Sequence, residues 1–429
     1  MLDIRLIREK PDFVKDRLAA RGGNDAALID EILDCDKQRR ALETQLQNLN
    51  ADRKRISKEI GARKSRGEET SEMESKVRGF GDDIALLNQK ATEADAKQRE
   101  LLLQLPNLPH EKAPVGTDAS GNPVVKTWGE KPQIAEPIFS HVELADKVSL
   151  FDLERAARMS GSGFVCFTGK GAKLERSLIN FMLDLHTEQH GYLEMSPPFL
   201  IRRDPLIGTS QLPKFEDQLY RAERDDLFLA PTAEVPVTNF HREEILRADE
   251  LPKKYVAYTP CFRREAGSTG IGTRGLIRVH QFDKVELVKI TTPEKSYDEL
   301  ESLTRDAERV LQLLGLHYRV IELCTGDLGF GGAKTYDIEV WAPGQNAYLE
   351  VSSCTNFEDF QARRLNLRFK DADGKNRFCH TLNGSGTALP RIFVALLETY
   401  QQPDGSVKIP EPLQDYFGAR ALLPGGTGE

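Results

Sequence analysis

Four arginines, Arg263, Arg264, Arg274 and Arg278, crowd one stretch beside the strand-like residues Cys261-Phe262 and Val279-His280-Gln281-Phe282. A guanidinium is a planar fork that matches phosphate or carboxylate oxygens, so such a cluster suits a polyanion. A further arginine, Arg391, follows Gly384-Ser385-Gly386 and precedes the helical pattern Ile392, Phe393, Ala395, Leu396, Leu397. Glycines at a strand-to-helix junction let backbone approach a ligand, and a helix N-terminus favours negative charge. The acids Glu234, Glu265, Glu286, Glu339 and Glu350 sit in apolar or strand-like contexts. A buried carboxylate is costly unless it is paired or binds metal. Acids and arginines together predict a site that holds a polyanion with a divalent cation. Two other glycine runs are read as turns. Thr168-Gly169-Lys170-Gly171 lacks phosphate-loop spacing and is placed before a helix starting near Lys173. Thr325 to Gly332 is read as a flexible turn.

The elements that must position these groups are short strands alternating with helices. Residues 255–258, 285–288 and 318–321 are rich in β-branched and aromatic residues, and 296–314 has an apolar stripe at helical spacing. Few strands are continuously apolar, so an α+β fold with an antiparallel sheet fits better than a doubly wound one. The polar run Ala266 to Gly275 reads as a long mobile loop joining two antiparallel strands. A loop of that length is usually functional. The alternative is a solvated hairpin with surface arginines.

The N-terminal part differs. Residues up to about 26 form an amphipathic lead-in ending at Gly22-Gly23-Asn24. Leu42, Leu49 and Ile56 then recur every seven residues, with Leu46 and Ile60 on a second row. After a break at Ser65-Arg66-Gly67-Glu68, Met73, Phe80, Leu87, Ala94 and Leu101 form one row. Val77, Ile84, Ala91 and Leu105 form the other, interrupted by Gln98. Two heptad runs joined by a polar turn predict an antiparallel coiled-coil hairpin over about 28–105, reaching roughly 50 Å. Pro106 and Pro109 close it. The expected organisation is an N-terminal domain over 1–109, a connecting segment over 110–140, a catalytic body over 141–418 and a flexible tail over 419–429.

The chain of 429 residues carries a net charge of −8, which alone argues against nucleic-acid binding. From Asp36 to Arg66, however, ten Lys/Arg stand against four Asp/Glu, a local +6. That is a candidate phosphate-backbone footprint. There is no apolar run of membrane-spanning length and no signal-peptide core, so a cytoplasmic protein is expected. None of the six cysteines forms a C-x-x-C pair. The eight histidines are read as lacking H-x-x-x-H or similar ligand spacing, so no zinc site is expected.

With these residues placed, the chain resembles class II aminoacyl-tRNA synthetases, and the seryl-tRNA synthetase family in particular. The resemblance runs from MLDIRLIRE through the basic hairpin to HTLNGSG and the helix after it. HGYLEMSPPFL looks like the first class motif, with Pro198 as its proline. Phe262-Arg263-Arg264-Glu265 looks like the second, and Gly384 to Arg391 like the third. Each is weak alone; in order with TAEVP, TPCFRREAG, TRGLIRVHQFDKVE and ARRLNLR they are specific.

The resemblance implies a ligase that joins L-serine and ATP into seryl-adenylate and pyrophosphate. Serine then passes to the 3′ end of tRNA(Ser), and of tRNA(Sec). Arg263 matches the arginine on the α-phosphate and the amino-acid carboxylate, and Arg391 the arginine on the γ-phosphate. Arg264, Glu265, Val279 and Phe282 match the nucleotide site, with Glu265 on the adenine edge and Phe282 stacked on the ring. Glu350, Val351, Ser352 and Ser353 match the ATP segment, with Mg2+ on Glu350 and Ser353. Thr232, Ala233 and Glu234 match the site for the substrate ammonium. Glu286, Ser385 and nearby Asn383 match the groups reading the serine hydroxyl. The basic hairpin, with Arg39, Arg40, Arg53, Lys54, Arg55 and Lys58, matches the arm that grips tRNA. The helix and strand ending at Pro198 match the contact of a homodimer, in which the hairpin of one subunit serves the other's site. Pro390 before Arg391 departs from the small residue expected there, and implies a shifted helix cap.

Three other readings stand beside this one. A homologue charging a carrier protein would lack the basic hairpin. A threonine or proline enzyme would not pair Glu286 with Ser385. A coiled-coil interaction protein with a dead site would have lost Arg263, Glu265, Glu350 or Arg391.

Overall fold

A computed structural model describes residues 1–266 and 275–425, and the chain divides into two compact units. The first comprises 1–19 and 23–106. Helices α1 (Ile4–Glu9) and α2 (Pro11–Ala19) pack on the base of α3 (Ala26–Lys64), which runs beside α4 (Ser71–Gln104). At that base Ile7, Val14, Leu18, Ile29 and Ile32 are fully buried. Farther along, only Ile56 and Ile84 of the heptad rows reach burial, as a two-helix seam requires.

The interruption of the heptads at Gln98 has a polar cause. Gln98 Nε2 donates to the carboxylate of buried Asp36 at 3.3 Å. Arg8 and Arg40 donate to the same carboxylate at 2.9 and 2.8 Å. Burial alone would push the Asp36 carboxyl up, but these hydrogen bonds outweigh it and hold it below its ordinary range.

The second unit comprises 20–22 and 107–429. Its frame is one sheet of eight strands. In chain order these are β1 (Val124–Trp128), β2 (Leu193–Met195), β3 (Lys253–Phe262), β4 (Gln281–Thr291), β5 (Tyr318–Glu322), β6 (Lys334–Ala342), β7 (Ala347–Asn356) and β8 (His380–Ala388). Across the sheet they lie in the order β1-β5-β6-β7-β8-β4-β3-β2. All neighbours are antiparallel except β2 and β3. Five helices matter to the site: α5 (Gly169–Asp184), α6 (Glu234–Thr238), α7 (Ser296–Leu313), α8 (Phe360–Leu365) and α9 (Leu389–Tyr400). Leu300, Leu303, Ala307 and Leu311 of α7 and Ile392, Phe393 and Leu396 of α9 join one core with Val285, Leu287 and Val351 of the sheet.

Several expectations change. Residues 110–140 are not only a connection: β1 pairs with β5 as a sheet edge. Helix α5 starts at Gly169 rather than near Lys173, and Gly171 in its first turn lies against the Leu150 carbonyl, where a Cβ would come within 1.9 Å. The expected tail is anchored through Ala421–Leu422, which pairs with Val407–Lys408 and buries Leu422 completely. Residues 426–429 lie outside the described residues, as do 267–274 with Arg274, so the loop expected between β3 and β4 is described only at its ends. Strand β4 is buried from Lys284 to Thr291 although it carries Lys284, Glu286 and Lys289. Lys289 meets Glu299 at 2.8 Å, a cross-element pair that makes a charged central strand tolerable.

Candidate active site

Residues from β4, β6, β7, β8, α6, the start of α9 and the segment just after β3 converge on one cavity of about 580 Å³. Arg263, the residue after β3, rests its guanidinium 5.1 Å from the ring centre of Phe282 on β4 and donates to the Pro231 carbonyl at 3.3 Å. Beside it Glu265 is paired with Arg278 at 2.8 Å. Glu265 sits at φ +47, a left-handed conformation rare for a glutamate and characteristic of site residues. Arg391, in the first turn of α9, also lines the cavity and donates to the Glu350 carbonyl at 2.7 Å and to the Ile277 carbonyl at 3.3 Å. Pro390 occupies that same turn, where its missing N–H leaves no helical bond unmade.

One end of the cavity is acidic and buried. Glu286 on β4 faces Ser385 on β8 in register, and Ser385 Oγ donates to Glu286 Oε2 at 3.4 Å. Glu234, at the start of α6, accepts from Gln361 Nε2 at 2.7 Å. Gln361 on α8 is itself fixed by Thr381 Oγ1 at 2.7 Å. Burial first, and then the charge of Glu286, push the Glu234 carboxyl up to about 7, against the lowering hydrogen bond from Gln361. The cavity thus offers two carboxylates at one end and forked cations elsewhere on its wall.

Of the sixteen residues that the resemblance matches to the ATP and serine sites, thirteen line this cavity: Thr232, Glu234, Arg263, Glu265, Val279, Phe282, Glu286, Glu350, Val351, Ser353, Asn383, Ser385 and Arg391. Ala233, Arg264 and Ser352 do not. Ala233 is buried in a neighbouring apolar cluster. The Arg264 side chain is exposed. Ser352 Oγ donates to the Ser385 carbonyl at 2.6 Å and so ties β7 to β8.

Gly384 and Gly386 are not at the strand-to-helix junction but inside β8. Their lack of a side chain answers packing, not a ligand. A Cβ at Gly384 would come within 2.7 Å of Cys354 Sγ, and one at Gly386 within 3.0 Å of His186 Nε2. The turn at 325–332 is held rather than loose. Arg21 donates to the carbonyls of Leu328, Gly329 and Gly332, and Asn107 donates to that of Gly331. Gly329, Phe330, Gly331 and Gly332 form part of the cavity wall.

Two features escaped the sequence reading. Lys284 is buried and lines the cavity, with its ammonium 2.7 Å from Thr232 Oγ1 and 2.5 Å from Glu286 Oε2. Asp337 on β6 stands opposite Ser353 on β7, and its Oδ1 is buried without a hydrogen-bond partner. Burial first, and then the charge of Glu350, push the Asp337 carboxyl up to about 8. An orphaned carboxylate oxygen beside Ser353 and Glu350 makes an all-oxygen donor set, which fits a hard cation such as Mg2+. No group of three His, Cys, Asp or Glu poised for a metal occurs among the described residues. Contrary to the sequence reading of the histidines, His186 and His190 stand four apart, an H-x-x-x-H spacing. The two rings are tilted by 54° and meet Nδ1 to Nδ1 at 2.9 Å, and burial first, and then the His190 charge, hold the His186 imidazole neutral, pushed down to about 3.

Among the described residues no helix is long and apolar enough to cross a membrane. Residues 1–109 match the model for the seryl-tRNA synthetase N-terminal domain. Residues 214–400 match the class II tRNA synthetase core domain for G, H, P, S and T. The serine–tRNA ligase of Akkermansia muciniphila is 59% identical over 99% of both chains, and that of Thermotoga maritima 54% identical over 98% of this chain and all of its own. The seryl-tRNA synthetase of Pyrococcus horikoshii, solved in complex with ATP, superposes with a TM-score of 0.92 at 40% identity over 99% of this chain and all of the other. The cytoplasmic enzyme of Naegleria fowleri, solved with AMP, gives 0.88 at 28% identity over 99% of each chain. Full-length identity of this order, on a cavity lined by Arg263 and Arg391 and by the buried carboxylates Glu234 and Glu286, places the chain in the seryl-tRNA synthetase family, the serine–tRNA ligases.

Proposed function

We propose that the cavity condenses L-serine with ATP to seryl-adenylate and pyrophosphate, and that serine then passes to the 3′ end of tRNA(Ser) and of tRNA(Sec). The observation that carries this reading is the polarity of the cavity: Glu234 and Glu286 buried at one end, Arg263 and Arg391 lining the same space. Thr232 and Glu234 hold the substrate ammonium, and Glu286 with Ser385 reads its hydroxyl. Alanine is rejected because those buried groups would stay unpaired; threonine is rejected by lack of room for a methyl, a weaker filter. Adenine stacks on Phe282 with its amino edge toward Glu265. Arg263 bridges the serine carboxylate and the α-phosphate, where attack builds negative charge. Arg391 holds the far phosphates. Mg2+ at Glu350 and Ser353, with Asp337 behind them, would neutralise the departing pyrophosphate. The test is serine-dependent ATP–pyrophosphate exchange with magnesium, run beside alanine, threonine and proline without tRNA. Exchange with serine alone is expected; folded protein giving none would sink the reading.

The first unit is the tRNA arm in this proposal. Arg53, Lys54, Arg55 and Lys58 are exposed on α3, whereas Arg39 and Arg40 are drawn toward Asp36. Changing those four exposed residues to alanine should leave exchange intact and weaken tRNA charging. The log–log salt slope of tRNA binding should fall by about one per lost phosphate contact. A full-strength charging rate would give the arm another role.

The segment ending at Pro198 is proposed as a homodimer contact. Leu193, Phe199 and Leu200 are exposed apolar residues there, and β2 is an edge strand. Sedimentation equilibrium should return twice the chain mass, and Leu200→Asp should shift it toward the monomer. A monomeric unaltered chain would contradict the contact.

A further inference from the structure

The buried end of the cavity carries a lysine for which the reaction as proposed has no use. Lys284 and Glu286 are two apart on β4 and therefore face the same side of the strand. The Lys284 ammonium lies between Thr232 Oγ1, at 2.7 Å, and Glu286 Oε2, at 2.5 Å. The side chains of Lys284 and Glu286 are 7% and 3% exposed. Glu234, 8% exposed, is the second buried carboxylate among the four glutamates that line the same cavity. Two buried carboxylates with one resident ammonium leave room for a single further cation.

From this charge count we propose that Lys284 is a specificity-determining positioning residue: it is the fixed counter-charge of Glu286, and so restricts the side chain read there to a neutral hydroxyl. This rests on the serine reading above and extends it. With Lys284 in place, Glu286 is already satisfied electrostatically and serves as a hydrogen-bond acceptor. The remaining carboxylate, Glu234, takes the one ammonium that an amino acid with a neutral side chain brings. A substrate whose side chain carried a second ammonium would place two cations beside Glu286, which costs as like charges do in a desolvated site. Without Lys284, Glu286 would be buried with no fixed counter-charge and would favour such a substrate.

L-2,3-Diaminopropionate tests this directly, since it is serine with an amine in place of the hydroxyl. ATP–pyrophosphate exchange is measured with each amino acid for the unaltered chain, Lys284→Met, Lys284→Gln and Lys284→Arg. The ratio of kcat/KM for serine over diaminopropionate should fall by at least about tenfold in the Met and Gln variants. It should persist in the Arg variant even if both rates drop. The KM for ATP, whose proposed site lies beyond this pocket, reports that each variant is folded. A merely structural lysine would lower both amino acids alike and leave the ratio unchanged, and that result in either folded neutral variant overturns the proposal. Failure of the unaltered chain to exchange with serine would instead sink the serine reading itself.

Discussion

Arg263→Ala is expected to lower serine-dependent ATP–pyrophosphate exchange by about 10³-fold, with most of the loss in kcat. The geometry behind this is specific. Arg263 directly follows β3, its Nε is fixed by the Pro231 carbonyl at 3.3 Å, and its face covers Phe282. One bond and one stacking contact therefore aim the rest of the guanidinium into the cavity before any substrate arrives. Preorganised charge costs little reorganisation when negative charge builds on the phosphorus oxygens. Arg263→Lys keeps the charge but loses the planar fork, the second hydrogen bond and the stacking, so it should recover only part of the rate. The test is exchange at saturating serine and ATP, with the melting temperature as a control. A folded Arg263→Ala protein within about tenfold of the unaltered rate would remove Arg263 from the transition state.

Where the sequence was legible, the signal was local. Heptad rows announce α3 and α4 because a seam between two helices must repeat every 3.5 residues. Arg263, Glu265 and Arg391 could be found because a charge beside apolar strand residues or at a helix start is unusual by type and position alone. Lys284 was not legible. In a strand pattern a lysine reads as solvent-facing, and the partner that explains it, Thr232, lies far away in the chain and is brought across by α6 and β4. Asp337 failed for the same reason, since only the register of β6 on β7 sets it against Ser353. Gly384 and Gly386 were found but misread. Strand-interior glycines and junction glycines look alike until the neighbours, Cys354 and His186, are known. The 325–332 turn looked flexible because glycines dominate it. Its rigidity comes from Arg21 and Asn107, supplied from hundreds of positions earlier.

Serine activation should weaken steeply below neutral pH, and the cause is Glu234. Its carboxyl is pushed up to about 7, by burial first and then by Glu286. Only the ionised form binds the ammonium of serine, so kcat/KM for serine should be level above pH 7. It should fall about tenfold per unit below, reaching about 10²-fold at pH 5. At saturating serine the effect on kcat should be smaller, because a bound ammonium stabilises the carboxylate and moves its titration down. The stability sign follows from the same shift. A carboxyl that holds its proton more tightly when folded contributes stability below its unfolded value, and that contribution is lost as pH rises toward 7. The free protein should therefore become less stable over that interval, and serine should raise the melting temperature more at pH 8 than at pH 6. Glu234→Gln should lower the plateau and abolish the inflection, while leaving the KM for ATP in place. A flat serine profile between pH 5.5 and 8, or an inflection that survives in Glu234→Gln, would assign the ammonium to another group.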